Sequence, residues 1–150
     1  DKSDLIYFVE DDYLHYEYSL VDMLNTYERV SSQHKDEIIV CPSDYPFNYM
    51  NNEKTNILIG SQQHWRTITK ILCTFMISKK MFQKHIDNFE KTCEKRHEPF
   101  EKYLNKILES EIGISPIKSL AIHMTNVNSS YGLSPFIDIK KLWEENKIGQ

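Results

Sequence analysis

The sequence predicts an α/β fold, a mixed central sheet with flanking helices, on three observations. Short apolar runs rich in β-branched and aromatic residues recur along the chain, as at Leu5-Ile6-Tyr7-Phe8-Val9 and Glu37-Ile38-Ile39-Val40-Cys41. Between them lie stretches whose apolar residues fall at helical spacing. The local order at the start is strand, acidic turn, helix, which is how a chain enters and leaves such a sheet.

The Leu5–Val9 run does not alternate in polarity, so it reads as a strand buried on both faces in the middle of the sheet. Tyr16, Leu20, Met23, Leu24, Tyr27 and Val30 then mark an amphipathic helix. Glu37–Cys41 is a second strand, stopped by Pro42, and Pro42-Ser43-Asp44-Tyr45-Pro46-Phe47 is an ordered loop. Asn51-Asn52-Glu53-Lys54 is a turn. Asn56–Gly60 and a longer run from Ile68 to Ser78 are further strands, separated by Gln62-Gln63-His64-Trp65-Arg66-Thr67. Ser78 is suited to N-cap a helix through Met81, Phe82, Ile86 and Phe89. Phe100, Tyr103, Leu104, Ile107 and Leu108 mark another helix, Lys118–His123 a last strand, and Asp138–Asn146 a short terminal helix.

Composition bounds the function classes. The chain has 150 residues, 40% of them hydrophobic and 12% aromatic, enough for one domain with a proper core. A formal net charge of -4 gives no global attraction to nucleic acid, so a phosphate-bearing ligand must be held locally, by a metal or a few basic groups. The lysines of the two later helices are interleaved with acids and read as a solvated face. Cys41, Cys73 and Cys93 are odd in number and widely spaced, which argues against a zinc site and a disulfide framework. No signal-like or membrane-spanning run is present, so the expected location is the cytoplasm. The opening Asp-Lys-Ser-Asp leads into a strand within four residues, and the expectation is a single domain over 1–150 cut from a larger one.

The most informative stretch is Tyr7-Phe8-Val9-Glu10-Asp11-Asp12-Tyr13, where an apolar strand runs into three consecutive carboxylates. Like charges repel and are costly to desolvate, so such a cluster at the end of a strand calls for a counter-charge, most simply a divalent cation. Ligands of open α/β sheets sit at the carboxyl ends of strands, where these acids fall. The competing reading is a solvated turn leading into a helix whose positive end favours acids.

Taken with Leu14-His15, and followed in order by Asp44-Tyr45-Pro46, His64-Trp65-Arg66-Thr67, Thr74-Phe75, His97-Glu98 and Leu120-Ala121-Ile122-His123, this stretch resembles a group of bacterial and viral glycosyltransferases of the GT-A fold. The resemblance spans residues 5 to about 139. Its most specific piece is Glu10-Asp11-Asp12-Tyr13, similar to the Asp-x-Asp motif that binds the metal and diphosphate of a nucleotide sugar. GT-A enzymes build their base pocket from strands preceding that motif. The resemblance therefore implies the metal and acceptor side of a larger domain, with the nucleotide-binding strands missing.

The resemblance implies a metal-dependent transfer of sugar from a nucleotide-sugar donor to a hydroxyl of a glycan or other acceptor, with inversion. Hard oxygen ligands favour Mn²⁺ or Mg²⁺. Asp12, Glu10 and His123 are the expected metal ligands, Asp11 and Arg66 the donor contacts, and Trp65 a face for the acceptor sugar. Glu98 is the expected base that takes the acceptor proton; Asp44 and Glu101 are the next carboxylates for that role, and His97 and Tyr13 are lesser site candidates. Each residue also has a structural reading: Arg66 in a salt bridge, Trp65 in a core, His123 satisfied by its neighbours and Glu98 as a helix-start acid. Two other function classes stay open, a metal-dependent phosphoesterase or nucleotidyltransferase and a non-catalytic binding module of the same fold.

Overall fold

The computed structural model describes residues 4–50, 52–94, 99–130 and 132–147. In chain order the elements are β1 (Leu5–Phe8), β2 (Tyr13–His15), α1 (Ser19–His34), β3 (Ile38–Val40), a 3₁₀ turn (Pro46–Tyr49), β4 (Ile57–Ile59), β5 (His64–Ile68) and β6 (Phe75–Ser78). They continue with α2 (Lys79–Lys84), α3 (Ile86–Glu94), α4 (Lys102–Ile107), β7 (Ile112–Pro116), β8 (Ala121–His123), a second 3₁₀ turn (Met124–Asn128) and α5 (Ile139–Glu145).

Six strands form one mixed sheet in the order β1-β6-β3-β7-β5-β4, and β2 pairs with β8 in a separate antiparallel ribbon. Only β3 and β7 run parallel as neighbours; the other adjacent pairs of the sheet are antiparallel. The expected mixed α/β sheet is therefore present. β3 is one of its two central strands, and its alternation divides the core. Ile38 and Val40 pack with Met23, Tyr27 and Val30 of α1 on one face, while Ile39 and Cys41 pack with Met81, Leu104 and Ile107 of α2 and α4 on the other. Helices thus cover both faces.

Several expectations change. β1 is an edge strand bonded to β6 alone, and Leu5–Phe8 are half-buried while Val9 is exposed. Its unbroken apolar run mimics a central strand because run length and polarity do not report how many neighbours a strand has. The Ile68–Ser78 run is two strands: β5 begins at His64, and residues 69–74 carry the chain across the sheet to β6. Exposed Thr69 and Lys70 open that connection, and Ile71 buries its side chain while its N–H donates to Asn105 Oδ1 at 2.7 Å. Lys118–His123 contributes β8 to the small ribbon rather than a strand to the main sheet.

Among the helices, α1 buries Met23, Tyr27 and Val30 as its apolar spacing predicts, but the edge of its inward face is shifted. Leu20 and Leu24 are exposed, whereas Asp22 and Thr26 are buried. The two polar residues are satisfied from the β4–β5 connection. Asp22 accepts from Gln62 N and Gln63 Nε2 at 3.2 and 3.1 Å, and Thr26 Oγ1 accepts from Ser61 N at 2.9 Å. Ser78 caps α2, accepting from Met81 N at 3.0 Å, as expected. The helix expected over Met81–Phe89 breaks at His85, which closes α2 with its N–H on Met81 O and Phe82 O. The three cysteines are free, Cys41 buried, Cys73 half-buried and Cys93 exposed. Among the described residues no helix is long and apolar enough to cross a membrane.

Candidate metal site

The pairing directions put the ends of β1, β3 and β7 and the start of β6 on one edge of the sheet. Three connections leave from that edge. After β1 the chain turns through Glu10, Asp11 and Asp12 into β2; after β3 it runs through Pro42–Tyr45; after β7 it returns through Leu120 into β8. The β2–β8 ribbon is fastened there by backbone bonds, Tyr16 N to Leu120 O at 3.0 Å and Leu120 N to Pro42 O at 2.8 Å.

Pairing of β2 with β8 sets Tyr13 opposite His123, and Met124 N donates to Asp12 O at 2.9 Å. His123 Nε2 consequently lies 2.7 Å from Asp12 Oδ2. Glu10 joins them from the other side of the turn, its N–H donating to Thr74 Oγ1 at 3.0 Å, with Thr74 fully buried at the start of β6. One ligand atom from each of Glu10, Asp12 and His123 falls within 4.8 Å of the others, and all three residues are half-buried. The structure therefore brings together the three residues expected as metal ligands. Asp11, the donor contact expected beside them, is exposed on the same turn.

Burial pushes the Glu10 carboxyl above its ordinary range; His123 pulls it back, and the charges of Asp12, Glu101 and Asp11 push it further up. A carboxyl penalised in this way gains from a bound cation. Two carboxylates and an imidazole are a donor set that could hold a divalent cation, the expected Mn²⁺ or Mg²⁺ among others. Ligands about 2.1 Å from such an ion and at right angles lie about 3 Å apart, a spacing within reach of these three groups. Cys73 lies close enough to feel Glu10, but its thiol is pushed up to about 12 by burial, with Glu10, Glu101 and Cys93 adding to the shift. The donor atoms that converge are those of two carboxylates and an imidazole.

Arg66 and Trp65 do not join this group. Arg66, 8% exposed, pairs its Nη2 with Asp44 Oδ1 at 3.0 Å, hydrogen-bonds the Tyr49 hydroxyl and lies over the Tyr49 ring. Its Nη2 is engaged by a buried acid and a tyrosine hydroxyl, the salt bridge that is the structural reading of Arg66. Asp44 is correspondingly committed: Ser134 and Tyr49 donate to it, and burial pushes its carboxyl up although those hydroxyls and Arg66 pull it down. Trp65 is fully buried against Met23, Tyr27 and Ile114, which corrects its assignment as an acceptor platform, because stacking a sugar requires an open ring face. Glu98 and His97 lie outside the described residues.

Residues to which the sequence gives little weight surround the triad. Tyr13 lays its ring flat on the His123 imidazole, with centroids 4.8 Å apart and planes 10° apart. Its hydroxyl meets the buried Tyr45 hydroxyl at 2.8 Å. Thr74 and Tyr45 stand in the motifs Thr74-Phe75 and Asp44-Tyr45-Pro46, yet only tertiary pairing reveals what they touch. Comparison with known proteins returns no matching family model, no matching curated protein and no matching solved structure.

Proposed function

We propose that this chain carries the metal and diphosphate site of a glycosyltransferase that moves a sugar from a nucleotide-sugar donor to an acceptor hydroxyl. The observation that carries the reading is the convergence of Glu10, Asp12 and His123 at the carboxyl edge of an α/β sheet. Two carboxylates and one imidazole leave about half of an octahedral cation's positions for phosphate oxygens and water. A divalent cation held there supplies positive charge beside the departing diphosphate.

Asp12 and His123 hold the cation directly in this reading, and Glu10 closes the third position. Asp11, exposed on the same turn, meets the donor's ribose or a water on the cation in this reading. The acceptor-side base is Glu98 by its place in the sequence. Asp44 is a poor alternative because its carboxylate is buried and ion-paired. Glu101, half-buried at the start of α4 and electrostatically coupled to Glu10, is the better second choice. A two-metal phosphoesterase calls for more acids than these: among the described residues one group of three candidate ligands is found.

The test is calorimetric titration of the protein with UDP, GDP and dTDP, in Mn²⁺ and in excess chelator. Binding of at least one diphosphate that requires the cation is expected. Equally tight binding in chelator overturns the reading, and release of phosphate from a simple phosphoester with no sugar transfer favours the phosphoesterase.

A further inference from the structure

The His123 ring is fixed by more than its strand. β8 ends at His123, and the side chain is 18% exposed, so the backbone alone leaves the imidazole free to turn about its side-chain bonds. Asp12 restrains the ring at Nε2, 2.7 Å away, and Tyr13 restrains it across its face. Its ring covers one face of the imidazole at 4.8 Å and almost parallel. The Tyr13 ring is itself held at its far end, where its hydroxyl bonds to Tyr45 at 2.8 Å. Tyr45 is buried to 1% exposure and stacks on Phe47 at 5.1 Å, so the tether ends in packed structure. The chain of contacts runs from the Pro42–Tyr45 loop after β3, through Tyr13 on β2, to His123 on β8.

We infer that Tyr13, tethered by Tyr45, is a positioning residue that holds the His123 imidazole in its cation-binding orientation. The inference rests on the metal reading of Glu10, Asp12 and His123. A ligand held in one orientation loses no rotational freedom when the ion binds, and partners that orient metal-bound histidines typically alter affinity by about 10- to 100-fold. The usual orienting partner hydrogen-bonds the second ring nitrogen. Here the contact is a flat ring face, and its hydroxyl tether sets where that face lies. The arrangement also separates two jobs on adjacent residues: Asp12 supplies charge to the ion, and Tyr13 supplies only geometry.

The test uses the intact chain and Mn²⁺ alone, followed by calorimetry or by loss of the free-ion paramagnetic signal, beside thermal melts without metal. Tyr13→Leu should weaken Mn²⁺ binding by about 10-fold or more. Tyr13→Phe and Tyr45→Phe keep the stacked ring but cut the tether, and should give smaller losses of similar size to each other. Proton spectra should show the His123 ring resonances shifted upfield by the Tyr13 ring in the parent and returned toward free-histidine positions in Tyr13→Leu. A residue that serves stability alone would lower the melting temperature and leave Mn²⁺ affinity unchanged; that result in all three variants overturns the inference while sparing the metal reading. If Tyr13→Leu does not fold, the two phenylalanine variants decide the matter. Absence of Mn²⁺ binding by the parent chain overturns both.

Discussion

His123 Nε2 and Asp12 Oδ2 stand 2.7 Å apart, the imidazole largely covered and the carboxylate 41% exposed. A cation of about 2.1 Å bond length would widen the gap between such a pair of ligands only slightly, to about 3 Å. The pair therefore stands near the spacing that the proposed cation would require.

That closeness predicts unequal effects at the two residues. Asp12→Asn keeps the shape and removes the charge, so Mn²⁺ affinity should fall by more than about 10-fold. The melting temperature should hardly move, because a partly exposed side chain of this kind contributes within about 0.5 kcal/mol. His123→Ala should weaken Mn²⁺ as well, and should also lower the melting temperature because Tyr13 loses its stacked neighbour. Calorimetry and thermal melts on both variants check this; unchanged Mn²⁺ affinity in Asp12→Asn contradicts it.

Arg66 should behave as a structural residue. Removing it leaves Asp44, whose side chain is fully buried, without its counter-charge, and breaking a buried pair typically costs about 3–5 kcal/mol. Arg66→Met should therefore lower stability in urea by that order while sparing Mn²⁺ affinity, and adding Asp44→Asn should restore some of the loss. A stable Arg66→Met protein that has lost diphosphate binding would return Arg66 to the donor site.

Gly60 should resist even alanine. It follows β4 beside the indole, and a Cβ there would lie 2.2 Å from Trp65 Cδ1 and Nε1 and 2.9 Å from Thr26 Oγ1. Trp65 is completely buried, so moving the indole would disturb the core around it. Overpacking of this kind costs about 1–3 kcal/mol, so Gly60→Ala should lower the urea midpoint with an unchanged slope. A variant as stable as the parent would mean that the indole has room to shift.

The elements legible in the sequence are those whose composition and burial agree. Ile38–Val40 reads as a buried strand because it is one, and Ser78 and Asp138 cap helices by the hydrogen bonds that serine and aspartate usually make there. β7 escapes a pattern-based reading because Ile112-Gly113-Ile114-Ser115-Pro116 carries two residues that strands usually avoid. Tertiary contact explains one of them: a Cβ at Gly113 would meet Leu108 Cδ2 at 2.5 Å. Trp65 misleads for the opposite reason, since its polar neighbours Gln62, Gln63 and His64 suggest a loop while the strand turns the indole inward. In the site, the acids and His123 are legible as chemical types at strand ends. The roles of Thr74, Tyr13 and Tyr45 are not, because each depends on which strand lies beside which.

Away from the site, a second acid ties the stability of the fold to pH. Glu111, just before β7, accepts from Lys84 Nζ and His85 Nε2, each at 2.7 Å, and so joins the end of α2 to the sheet. Burial alone would push its carboxyl up, but the bonds and charges of Lys84 and His85 outweigh that and hold it below its ordinary value. A carboxyl whose folded value lies below its unfolded one stabilises the fold above the unfolded value, and that contribution is lost as pH falls through the folded one. Glu111→Gln should thus cost stability at pH 7, chiefly through the half-buried His85 partner, because the exposed Lys84 is screened by solvent. The gap between parent and variant should begin to narrow near the ordinary carboxylate value of about 4.3 and close below it. Urea unfolding of both proteins from pH 7 to pH 3 measures this directly. A gap that stays constant across the range would show that Glu111 acts through shape and not through its charge.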